Sequence, residues 1–102
     1  MIHVIATIEV KPGGREAFLD IFKRNVPAVR AEDGCLAYVP TVDLDSGIAV
    51  QGDPRPDVVT VVEAWESLAH LHAHLNAPHM LAYREQVKDL VRHTAIRVLA
   101  PV

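Results

Sequence analysis

Residues 57–65, DVVTVVEAW, constrain the fold more than any other stretch of the chain. Val58, Val59, Val61 and Val62 make this a strand with apolar side chains on both faces, the pattern of a strand covered on both sides. With 102 residues there is room for one domain, 1–102, and one core. The helices of so small a domain can cover one face of a sheet only. The economical cover for the other face is the same face of a second copy, packed sheet to sheet about a two-fold axis. A homodimer is expected from this pattern.

The remaining elements fall around that strand. IHVIATIEV (2–10) alternates, with Ile2, Val4, Ala6, Ile8 and Val10 on one face. KPGG breaks it. A helical period follows from Gly14 to about Glu32, carried by Ala17, Phe18, Ile21, Phe22, Val26 and Val29, with Pro27 expected to kink or loosen its last turn. EDG (32–34) stops the helix, and CLAYVPTV (35–42) reads as a strand placed at an edge or bulge by Pro40. Residues 43–57, DLDSGIAVQGDPRPD, form a long loop. Ser67 can cap a helix carrying Leu68, Leu71 and Leu75, NAP (76–78) ends it, and Pro78 opens a second helix with Met80, Tyr83, Val87, Leu90 and Val91. HTAIRVLAPV closes the chain as a fourth strand. The order βαββααβ is an α+β, ferredoxin-like fold: an antiparallel sheet with helices on one face, the second helix broken in two.

Several functional classes are excluded. Charged residues make up 23% of the chain, net charge is −3, and the ten basic residues are scattered, so nothing follows a phosphate backbone and no nucleic-acid partner is expected. The one cysteine, Cys35, leaves no intrachain disulfide and fits a reducing, cytoplasmic setting. No apolar run approaches the ~18 residues that span a bilayer, so no membrane association is expected. Glycine-rich nucleotide loops, GxSxG and CxxC are all absent.

The chemistry concentrates in EAWESLAHLHAHLNAPHM (63–80), which holds four of the six histidines and the only tryptophan. His70 and His74 stack at i and i+4, but His72 points about 160° away from His74, so three histidines cannot converge on one ion and no metal site is expected. His70 is expected in solvent and His72 among the leucines, while His74 lies about 110° from the leucine stripe, on its flank. Glu63 and Trp65 share one strand face with Val59 and Val61. A carboxylate ending an apolar row must find a partner, such as Arg84 or Arg97, or else line a cavity. Glu63, Trp65, His74, His79 and Tyr83 are thus candidates to surround a small apolar pocket suited to a flat aromatic ligand.

VKPGGREAF (10–18), EDGCLAYV (32–39) and VEAWESLAHLHAHLNAPHM (62–80) resemble, in register, the signature stretches of the antibiotic biosynthesis monooxygenase family. The most specific part is E-x-W followed by A-H-L-x-x-P-H, here Glu63, Trp65 and Ala73 to His79. The resemblance implies a dimeric α+β barrel of ferredoxin-like halves. It also implies a cofactor-independent monooxygenase in which the anion of a small quinol, phenol or anthrone-like substrate reacts directly with O₂. By the same resemblance His74 and His79 match the family's paired histidines, and Glu63 and Trp65 its strand pair. His74 is then a catalytic base with Trp65 beside it, and Glu63, Trp65, His79 and Tyr83 bind substrate. The haem-degrading branch does not fit, because the first strand offers Thr7 where an Asn is needed and no His follows His79 on the last helix. The 43–57 loop is longer than the family's usual connection. The competing expectation is a ligand-binding or scaffolding dimer of the same fold without turnover.

Overall fold

A computed structural model describes residues 1–102. Its elements are β1 (Ile2–Val10), α1 (Arg15–Arg30), β2 (Cys35–Thr41), β3 (Val58–Trp65), α2 (Leu68–Leu75), α3 (Pro78–Val87) and β4 (Val91–Leu99). The four strands form one antiparallel sheet in the order β2-β3-β1-β4, the ferredoxin-like arrangement expected from the element order.

Alternation decides which side chains enter the core. On β1, Val4, Ala6, Ile8 and Val10 are buried beneath the helices, and the first three pair with Glu63, Val61 and Val59 of β3. Phe18, Phe22, Val26 and Val29, spaced by three or four residues, turn one side of α1 onto that surface. Phe22 stacks on Tyr38 with ring centroids 5.4 Å apart and meets Tyr83 edge-on at 5.6 Å, so α1, β2 and α3 join through aromatic contacts. Pro27 does not end α1, which continues to Arg30, and the Pro27 carbonyl still accepts from the Ala31 N–H.

Two expectations are corrected. α3 stops at Val87, so Leu90 and Val91 are not helical: the Leu90 carbonyl accepts the Lys11 N–H at 2.8 Å, which draws the chain into β4 two residues earlier than expected. On α2 the buried positions are Leu71 and His74, while Leu68 and His72 are exposed. Helix α2 is only eight residues long, and its buried side runs through Leu71 and His74 and not through the centre of its leucine stripe. Ser67 accepts the His70 N–H as N-cap, and Pro78 occupies the first turn of α3.

The second face of β3 lacks a helical cover. Val39, Val62 and Ile5 pair across β2, β3 and β1 on that face, and Val39 and Val62 remain exposed. No helix of the structure is long and apolar enough to cross a membrane.

Candidate active site

Between the helical layer and the inner face of the sheet lies a cavity of about 400 Å³. Ala6, Ile8, Val61 and Ile96 form its sheet wall, and Tyr83 and Val87 of α3 are among the residues opposite. Polar groups on the wall are few, and two of them, Glu63 and His74, are the buried polar residues of the molecule, 6% and 2% exposed.

Glu63 is placed by register. It pairs with Val4 on one side and Tyr38 on the other, so its carboxyl is set among apolar and aromatic groups. Its Oε1 accepts a hydrogen bond from Trp65 Nε1 at 3.0 Å. Neither arginine expected as its partner reaches it. Arg84 donates to the Leu75 carbonyl, and Arg97 pairs with Ile5 on the opposite face of the sheet. Burial therefore pushes the Glu63 carboxyl up from its ordinary 4.5 to about 7, with the indole N–H opposing and the Glu32 charge adding.

His74 sits deeper than its place beside the leucine stripe suggests. Its ring lies 4.6 Å from Trp65 and edge-on to Tyr38 at 5.4 Å, centroid to centroid. Its Nδ1 is 2.9 Å from Glu32 Oε2, and the same oxygen is 2.7 Å from His79 Nε2. An ionised carboxylate only accepts, so Glu32 requires a proton on both nitrogens. A neutral His74 then carries its proton on Nδ1 and leaves Nε2 bare as an acceptor, the tautomer a general base needs. Burial lowers the pKa of His74, although Glu32 pulls the other way.

Glu32 is the residue of this candidate site that sequence reasoning misses. Lying in EDG it reads as helix punctuation, and only the fold carries the turn after α1 to the junction of α2 and α3. Gly34 permits that approach: its φ is +79°, and a Cβ there would lie 2.3 Å from the His70 ring.

The expected site residues therefore separate into two layers. Glu63, His74 and Tyr83 line the cavity. Trp65 is fully buried behind the wall, where it holds Glu63 and packs on His74, and His79 lies beyond Glu32 in a second, shallower groove with Arg24, Asn25 and Gln86. Tyr83 keeps its proton, because burial raises its pKa. The Cys35 thiol is likewise raised by burial and by Glu32, which leaves it poorly suited to nucleophilic work.

Cation-ligand geometry occurs elsewhere. Asp33, Glu66 and His70 bring one ligand atom each within 4.8 Å of one another, with both carboxylates exposed. The His70 ring is half-buried rather than solvated, its Nδ1 2.7 Å from Ser67 Oγ and its Nε2 3.4 Å from Asp33 Oδ2. These contacts fasten the α2 cap to the turn that precedes β2.

Comparison with known proteins gives a consistent set of relatives. The sequence matches the family profile described as "Antibiotic biosynthesis monooxygenase" over residues 1–86. It is 48% identical over 103 residues to "Probable quinol monooxygenase YgiN" of Escherichia coli K12, covering 99% of this chain and 98% of that one. Among solved structures it superimposes on Rv0793 from Mycobacterium tuberculosis with a TM-score of 0.80 at 31% identity, covering 99% and 94% of the two chains. PA3566 from Pseudomonas aeruginosa gives 0.81 at 28% identity, covering 99% and 93%.

Proposed function

The chain belongs to the antibiotic biosynthesis monooxygenase family, and we propose that it oxygenates a small, flat aromatic substrate of the quinol, phenol or anthrone type with O₂ and no bound cofactor. The observation that carries this reading is the cavity wall, where an imidazole with a bare Nε2 and a carboxyl that still holds a proton near neutrality stand among apolar groups. A volume of about 400 Å³ suits a molecule of a few fused rings. The printed name of the Escherichia coli relative points to quinols.

In this reading the substrate hydroxyl gives its proton to His74 Nε2, and Glu32 on Nδ1 stabilises the resulting imidazolium. Protonated Glu63 donates a hydrogen bond to a substrate oxygen. Oxygen attacks the electron-rich ring of the anion. One oxygen atom stays on carbon and the other leaves as water, taking the His74 proton. A quinol supplies both electrons for that water and ends as a hydroxyquinone, so the balance needs no separate reductant. Trp65 and His79 act from behind the wall by holding Glu63 and Glu32.

The reading includes a homodimer packed through the exposed sheet face around Val39, Val62 and Ile5. Oxygen uptake with a panel of hydroquinones tests the catalytic part. One O₂ consumed per quinol is expected; saturable binding without uptake would leave the non-catalytic dimer in its place.

A further inference from the structure

The 43–57 segment between β2 and β3 is braced, yet it turns apolar side chains to solvent. Arg55 clasps Asp43 through Nε and Nη2 at 2.8 and 3.0 Å, and its backbone N–H donates to the same carboxylate at 2.9 Å. Gln51 donates to the Leu44 carbonyl at 2.8 Å, and the base is tied to the end of β1 by Val10 N–H on the Asp57 carbonyl, also 2.8 Å. On this frame Leu44, Ile48 and Val50 are all exposed, Val50 to 97%. A loop already held in shape loses little freedom when it docks.

A matching surface exists on the same chain. β4 packs against β1 at the sheet edge, and its residues from Arg92 to Leu99 are all exposed. Its inward residues Thr94 and Ile96 form one lip of the cavity, and Ile96 remains 47% exposed. Charge is complementary: residues 43–57 carry four Asp and one Arg, whereas β4 carries Arg92, His93 and Arg97 with no acid. The area is also in keeping. The chain exposes 6430 Å², where a compact monomer of this mass exposes roughly 5,700 Å². The excess of about 700 Å² approaches the ~800 Å² that one partner contributes to a standard interface.

We propose that the 43–57 arm of one copy lies across β4 of a second copy and closes the open side of its cavity, so that each site is completed by its partner. This rests on the two-copy reading above and adds a specific contact to it. The apolar tip would exclude water beside Ile96, where a substrate anion must meet O₂, and Asp45 and Asp53 would reach round the sheet edge to His93 and Arg97 on the other face of β4.

Disulfide trapping tests it. In a Cys35→Ala background, Val50→Cys and Ile96→Cys chains carrying different tags are mixed, allowed to exchange subunits and mildly oxidised. A bridge joining one chain of each kind is expected, at least tenfold more abundant than bridged species from either variant alone. Val50→Asp should weaken self-association at least tenfold in sedimentation. A dimer in sedimentation that gives no mixed bridge would overturn the arm contact while leaving the dimer intact. In a single chain carrying both Val50→Cys and Ile96→Cys, a bridge formed only within one copy would overturn it as well. A folded monomer at micromolar concentration would remove both the contact and the two-copy reading.

Discussion

In the proposed reaction His74 and Glu63 are shifted in opposite directions by burial, and each shift can be measured. Removing the imidazole in His74→Ala should lower turnover by ~10²–10⁴-fold with substrate binding little changed. His72→Ala is the control, since that side chain is exposed. Equal turnover per folded molecule in wild type and His74→Ala would end the base assignment. For Glu63 the folded state holds a proton more tightly than the unfolded chain, about 7 against 4.5. The carboxyl therefore costs no stability below pH 4.5, and the cost grows as pH rises towards 7, to about 3 kcal/mol. Glu63→Gln should accordingly match wild type near pH 4 and exceed it near pH 8 in urea unfolding. An offset independent of pH would show that Glu63 is not held protonated. Trp65→Phe deletes the one N–H that stabilises the ionised form, so the Glu63 titration should move further up.

At the scale of elements, the strands are legible because β1 alternates and β3 is an apolar run on both faces, and the two-residue period places Glu63 and Trp65 on the inner face with Val59 and Val61 correctly. Short helices are less legible. Eight residues of α2 give a leucine pattern too brief to fix its inward side, so it sets His74 on the flank and His72 in the core, the reverse of where they lie. Glu32 cannot be found by spacing, because its partners His74 and His79 are more than forty residues away and meet it only after folding. The contact that brings those segments together is open to test. Gly34→Ala puts a Cβ at a positive φ and into the His70 ring, which should cost at least ~1–2 kcal/mol from the backbone alone and lower the melting temperature. Gly34→Ser should fare no better, whereas Gly47→Ala, with open space around it, should cost only the backbone part.

For the whole molecule, the two-sided apolarity of residues 58–62 leads to an apolar row of exposed Val39 and Val62 with half-buried Ile5, and the second copy proposed to cover it predicts a clear result. Val62→Asp should convert the protein to monomer in sedimentation without unfolding it, since Val62 points away from the core. The order of the strands also has a consequence in time. β1 is the first strand synthesised, and its two neighbours are β3 and β4, the third and the last. Until β4 emerges, one edge of β1 has backbone groups with no partner, and an open edge of that kind recruits other chains. A chain ending at residue 90 should therefore aggregate rather than persist as a looser monomer. In a cell, the interval between synthesis of β3 and of β4 is when this protein most needs a chaperone.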